Sequence, residues 1–176
     1  MELVNRMTHP AVVAKAILPV VFGESAALLN KLIDEHKPDV VIGLGQAEGR
    51  SEISIEQVAI NLADARIADN AGNMPKDQVI LADAPTAYFA TLPTKELVNV
   101  VRQSGVAAGL SLSAGTFVCN HIFFSMLHHC DQRATKAGFI HLPLISEQKD
   151  EFPGLPTMTF SEMNIGVNAV LDYLAN

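Results

Sequence analysis

The chain is poor in cysteine, with only Cys119 and Cys130 among its 176 residues. Two cysteines cannot build the disulfide framework of a small secreted domain, and their scarcity fits a reducing compartment. Basic residues are also few: 12 Lys and Arg stand against 19 Asp and Glu, a formal net charge of −7. No Lys/Arg cluster marks a phosphate-binding face, which argues against nucleic acid as a partner. No apolar run reaches the roughly 20 residues that a membrane-spanning helix needs. The opening stretch MELVNRMTHP carries no hydrophobic signal core. A cytoplasmic location is the default expectation. There is no internal repeat, linker or composition shift, so 1–176 reads as a single domain.

What is present is an apolar content of 49%, enough for a sizeable core in a domain of this length. The stretch Leu110–Leu127, LSLSAGTFVCNHIFFSML, organises the rest. Ala107–Leu112 reads as a short buried strand. The chain then turns through Ser113, Ala114 and Gly115. From about Cys119 the pattern becomes helical, with Ile122, Phe123, Met126 and Leu127 on one face. Cys119 therefore stands where a strand hands over to a helix. Free backbone N–H groups and the positive end of the helix dipole favour a thiolate there. A nucleophile on such a turn, with backbone donors beside it, is a recurring hydrolase device. A buried structural cysteine is the competing reading.

The remaining elements alternate. Met1–Met7 reads as the end of a helix and Ala11–Phe22 as a strand. Ser25–His36 is an amphipathic helix with Leu28, Leu29, Leu32 and Ile33 on one face. Asp39–Leu44 is a short strand buried on both faces, joined to the first by a right-handed crossover. The loop GLGQAEG at Gly43–Gly49 is not a dinucleotide fingerprint, because Glu48 replaces the third glycine and no helix follows. Ser51–Asn61 alternates as a strand and carries Glu56 among apolar neighbours, either at a solvated edge or in a functional pair. Asp64–Ala84 is a long irregular loop with Arg66 as its prominent cation. Pro85–Leu92 is a connector. Thr94–Ser104 is a helix with a Thr cap and Leu97, Val98 and Val101 facing inward.

His128, His129 and Cys130 are neighbours on a helix and point in different directions. No second ligand pair lies at metal-site spacing, so a polar helix end is preferred to a metal site. Ala137–Leu142 is a strand with His141 near its carboxyl end, where sites form in open α/β sheets. A histidine there and a cysteine at another strand end suggest a Cys–His pair. Leu144–Met158 is a Pro/Gly-rich loop. Thr159 and Glu162 form a capping box. The last helix runs to about Leu174, with Ile165, Ala169 and Leu171–Tyr173 as its apolar stripe. Alternating strands and helices predict an open, mostly parallel twisted sheet with helices on both faces.

The segments SAGTFVCNH, GLGQAEGR with IxxEQVAIN and DARIADN, GFIHLP, and Ala84–Phe89 followed by Leu92-Pro93 resemble pyroglutamyl peptidase I. The similarity runs through nearly the whole chain in one order. It implies a cytosolic cysteine peptidase on an α/β/α sandwich, without a cofactor, usually a homotetramer. Its substrates would be peptides that begin with pyroglutamate. It also implies that Cys119 is the nucleophile, His141 the base and Glu56 the residue that orients the base. Gln46, Arg66, Ile67, Phe117 and Val118 match residues around the substrate pocket. The family also has an opening strand and a Phe-bearing, Gly-rich loop ahead of the segment where this sequence begins. Without them, one pocket wall is expected to be open. The alternative function is then a weakly active or inactive remnant that binds without turnover.

Overall fold

The computed structural model describes residues 13–131 and 133–175. The expected helix end at Met1–Met7 lies outside them, as do Ala11 and Val12. The elements run α1 (Glu24–His36), β1 (Val40–Gln46), β2 (Ile53–Glu56), β3 (Val58–Ile60), β4 (Ala87–Phe89), α2 (Thr94–Gln103), β5 (Ala108–Ser111), α3 (Val118–Cys130), β6 (Lys136–Leu142), β7 (Leu144–Ile145), β8 (Thr157–Met158) and α4 (Phe160–Ala175). A single helical turn, Ser146–Gln148, follows β7.

The main sheet has the order β1-β6-β2-β5. β1 pairs with β6 in parallel, as β2 does with β5, whereas β2 runs antiparallel to β6. Strand alternation divides the side chains between two faces. Ile53, Ile55, Ile140 and Leu142 point to one face and pack with Leu97, Val98 and Val101 of α2 and Met163, Val167 and Val170 of α4. Val41 and Phe139 point to the other and pack with Ile33 of α1 and Val118, Ile122, Phe123 and Met126 of α3. Two helices on each face of one sheet make the expected α/β/α sandwich.

Several expectations are corrected. The described part of the Ala11–Phe22 segment is not a strand. It carries Pro19, which cannot donate to a ladder, and its apolar side chains Val13, Ile17 and Val20 are exposed. The right-handed crossover that depended on it falls away. Ser51–Asn61 is two strands, not one. The pairing with β6 stops at Glu56; Gln57 N–H still makes the next rung to the Ser111 carbonyl at the end of β5, at 2.8 Å, and β3 then leaves to pair with β4. That pairing makes a strand of what reads as a connector. Helix α2 starts after Pro93, with Thr94 buried inside its first turn and no side-chain cap. Helix α4 buries Met163, Gly166, Val167 and Val170, while Ile165 and Tyr173 face outward at 45% and 42% exposure. Gly166 explains the rotation: a Cβ there would stand 2.4 Å from Ile53 Cδ1, so the helix lies close to β2 along its glycine. The Thr159–Glu162 capping box forms: Thr159 N–H and hydroxyl both donate to Glu162 Oε2, and Glu162 N–H returns to Thr159 Oγ1 at 3.2 Å.

Candidate active site

Glu56 and His141 meet on the α1/α3 face of the sheet. In the antiparallel ladder, Glu56 opposes Phe139 and Ser54 opposes His141, which sets the acid diagonally beside the imidazole. Glu56 is fully buried and His141 is 4% exposed. His141 Nδ1 lies 2.8 Å from Glu56 Oε1. An ionised carboxylate only accepts, so Nδ1–H donates and Nε2 carries the free lone pair. The Phe139 ring packs against His141 with centroids 5.0 Å apart and limits its rotation. Glu56 is thus no edge-strand carboxylate: β2 lies inside the sheet, between β6 and β5.

Cys119 approaches this pair from α3. Gly45 is the register partner of His141, and a Cβ on Gly45 would lie only 3.0 Å from Cys119 Sγ. The thiol therefore sits over the bare backbone of β1, next to the histidine strand. No hydrogen bond joins Cys119 to His141 among the described residues; such contacts are often long in unliganded sites and tighten with substrate. The N–H groups of Val118, Cys119 and Asn120 precede the first helical hydrogen bond, from His121 N–H to the Phe117 carbonyl at 3.1 Å. Among the described residues these donors of the helix start have no backbone acceptor, and such groups favour an anion. Burial pushes the Cys119 thiol up to about 11, and the nearby Glu56 carboxylate adds to the rise. Burial and the Glu56 charge thus oppose the helix start, which favours a thiolate.

The profile described as "Pyroglutamyl peptidase" matches residues 1–175. The pyrrolidone-carboxylate peptidase of Erwinia tasmaniensis is 47% identical over 160 residues, 91% of this chain and 75% of the relative. Pyrrolidone-carboxylate peptidase 1 of Ralstonia nicotianae is 48% identical over 88% of this chain and 73% of its own length. The chain belongs to the pyroglutamyl peptidase family. It is an enzyme of that class, a hydrolase. The crystal structure of pyroglutamyl peptidase I from Bacillus amyloliquefaciens superposes with a TM-score of 0.90 at 37% identity, covering 96% of this chain and 84% of that one. A mutant pyrrolidone carboxyl peptidase from P. furiosus gives 0.93 at 36% identity, with coverages of 99% and 88%.

The other residues singled out by sequence are spread around the family's fold. Gln46 alternates with Gly45, so its side chain leaves the Cys119 face. Its Nε2 donates to Gln148 Oε1 at 2.8 Å and to the Pro143 carbonyl at 3.5 Å. Arg66 and Ile67 are exposed, Ile67 at 65%. They follow Asp64, whose backbone is docked on Thr116 by two hydrogen bonds of 3.0 and 2.7 Å. The pair therefore flanks the turn that leads to Cys119. Phe117 is half-buried and packs edge-on against Phe22 at 5.2 Å. Val118 points into the core at 2% exposure.

Three residues escape the sequence reading. Asn120, fully buried, accepts from Ile60 N–H at 3.0 Å and donates to the Ile60 and Leu62 carbonyls at 2.9 and 3.0 Å, pinning the start of α3 to the end of β3. Asp69 accepts from the backbone N–H groups of Phe22, Ala71 and Asn73 and from the Asn73 amide. Arg50 reaches Glu56. The available signal was polar residues in strand or helix positions that the fold buries, each of which needs a partner.

Proposed function

We propose that this chain hydrolyses the amide bond following an N-terminal pyroglutamyl residue of a peptide, with Cys119 as nucleophile, His141 as base and acid, and Glu56 as the residue that orients His141. The observation that carries the reading is the 2.8 Å bond between buried Glu56 and His141 on the sheet face under the Cys119 thiol. His141 Nε2 takes the Cys119 proton as sulfur attacks the carbonyl joining pyroglutamate to the next residue. The carbonyl becomes an oxyanion, and the N–H groups at the start of α3 are the donors nearest to the nucleophile. The C–N bond then breaks, and protonated His141 gives its proton to the leaving amine. His141 next removes a proton from water, which attacks the thioester and releases pyroglutamate and the free thiol. Glu56 stays ionised throughout and stabilises the imidazolium.

The pyroglutamyl ring is small and neutral, with one lactam N–H and one C=O. Phe117, Ile67 and backbone groups suit such a ligand better than a charged pocket would. Peptides that begin with pyroglutamate, a cytoplasmic setting and a homotetramer belong to the same reading. The test is kinetics on a pyroglutamyl chromogenic amide with the wild type, Cys119→Ala and His141→Ala. Each variant is expected to abolish turnover, and the double variant to be no worse than either single one, because the two groups act as a unit. Retained turnover in Cys119→Ala would remove the proposed nucleophile.

A further inference from the structure

We propose that Arg50 is a positioning residue for the Glu56–His141 pair, holding the buried carboxylate ionised and aimed at the imidazole while tying it to the turn that leads to Cys119. The inference rests on the reading above for its catalytic meaning. Arg50 lies in the loop between β1 and β2, with its side chain 32% exposed. Its guanidinium reaches four acceptors. Nη1 donates to Ser54 Oγ at 3.1 Å and Ser111 Oγ at 3.2 Å. Nη2 donates to Glu56 Oε1 at 3.1 Å and to the Ser113 carbonyl at 3.2 Å. These acceptors come from β2, the end of β5 and the turn before α3. A planar fork with five N–H donors can span them at once; a lysine cannot.

The second observation concerns the carboxylate. Both donors to Glu56, Arg50 and His141, fall on Oε1, while buried Oε2 has no partner among the described residues. Among the described residues, Arg50 is therefore the one permanent cation paired with this fully buried charge. The titratable and charged groups that face Glu56 are Arg50 from the loop, His141 from β6 and Cys119 from α3. From β5 comes the Ser111 hydroxyl, and β1 presents Gly45. Remove Arg50, and the carboxylate compensates through its remaining partner. With the guanidinium gone, only the imidazole is left to balance that charge, which favours the imidazolium over the free base. A residue that merely braced the loop would change stability without moving that titration.

Arg50→Gln and Arg50→Lys in the full chain test this. The acid limb of kcat/KM on a pyroglutamyl amide and the His141 titration followed by NMR are both measured. Arg50→Gln is expected to move both upward by about one pH unit or more. Arg50→Lys, which keeps a cation beside Glu56, is expected to return them most of the way. An Arg50→Gln protein whose limb and His141 titration coincide with the wild type overturns the proposal. Should Arg50→Gln fail to fold, the double variant Arg50→Gln/Glu56→Gln replaces the pair by neutral amides. Its limb is expected to match that of Glu56→Gln alone, because Arg50 acts through the Glu56 charge, and a limb displaced from it overturns the proposal. Wild-type turnover reports on the hydrolase reading separately, since the NMR titration follows Arg50 even in a protein without turnover.

Discussion

Replacing Gly45 with alanine probes how closely Cys119, the proposed nucleophile, is seated. The added Cβ would lie 3.0 Å from Cys119 Sγ and 3.0 Å from both Cε1 and Cζ of Phe139. Heavy atoms in the interior are comfortable at about 3.5–4.0 Å, so something must retreat by roughly half an ångström. Phe139 is poorly placed to do so, being 3% exposed and wedged between Phe123, at 5.7 Å, and His141, at 5.0 Å. The thiol, half-buried at a helix start, is the softer side. Overpacking of this kind costs about 1–3 kcal/mol, or roughly 2–12 °C of thermal midpoint for a domain of this size. A displacement of about 1 Å at the reacting atom can cost on the order of 100-fold in rate. Gly138→Ala is the control: it sits on β6 but faces Leu92, with Cδ1 at 2.5 Å, on the opposite side of the sheet. The two variants are expected to lose similar stability by thermal unfolding. Only Gly45→Ala is expected to lose kcat/KM on a pyroglutamyl amide beyond about tenfold. Equal activity losses in the two, or an active Gly45→Ala, would refute the seating of Cys119 against β1.

The remaining expectations follow from the same geometry. Iodoacetamide is expected to label Cys119 ahead of Cys130, which is 5% exposed; because burial lifts the Cys119 thiol to about 11, the rate should climb through pH 7–10. A rate already flat below pH 7 would reveal a preformed thiolate. Glu56→Gln is expected to retain more kcat than His141→Ala, since it keeps an acceptor for Nδ1–H while losing the charge; unchanged activity in Glu56→Gln would remove that residue from the proposed triad. Asp69→Asn tests the loop clamp. Burial alone would raise the Asp69 carboxyl, but the Asn73 amide and the Phe22, Asn73 and Ala71 N–H groups outweigh it and hold it at about 2. Its contribution is complete above the unfolded value of about 3.9 and disappears as pH falls through about 2. Asp69→Asn should therefore lower the thermal midpoint at neutral pH and narrow the gap to wild type in acid, and a gap independent of pH would sink the assignment.

How much of this was legible in the sequence varied with the kind of information needed. Short apolar runs at Asp39–Leu44, Ala107–Leu112 and Ala137–Leu142 marked three sheet strands to within a residue or two, because burial on both faces leaves a plain signature. Strand direction left no such trace. Reading His141 and Cys119 as two aligned carboxyl ends was natural in a parallel sheet. In the fold, β5 runs opposite to β6, and the thiol lies over Gly45, the register partner of His141. The break at Gln57 was invisible too, since alternation continues through Val58–Ile60 while the hydrogen-bonding partner changes from β6 to β4. For the site, position in the pattern singled out Cys119 and His141 as a pair and left Glu56 open between an edge and a functional pair; the family resemblance supplied the role of each. Arg50 and Asn120 stayed hidden because their partners are distant in sequence: Arg50 bonds to Ser111 across 61 residues and Asn120 to Ile60 across 60.

The sheet explains why such a site tolerates a buried charge. Its α2/α4 face is closed by apolar packing alone, and Ile53, Ile55, Ile140 and Leu142 are all 6% exposed or less. The α1/α3 face exchanges some of that packing for function. On β1, Gly43 and Gly45 stand where apolar side chains would be expected, and the Phe139 ring covers both, within 2.4 Å and 3.0 Å of where their Cβ atoms would be. One aromatic side chain thus fills the space left by two glycines, buttresses His141 and leaves room for sulfur. Three polar members of this face, Ser54 Oγ, Glu56 Oε1 and Ser111 Oγ, all accept from one guanidinium that reaches in from outside the sheet. A buried ion pair of this kind is weak evidence for stability, because desolvation offsets most of its attraction, whereas breaking it is costly. What it contributes is a fixed geometry: Glu56 and His141 lie on two interior strands, and Asn120 anchors the helix start that carries Cys119. The groups of the proposed triad are thereby placed on rigid elements instead of loops, which is what the proposed reaction, sensitive to errors of about 1 Å, requires.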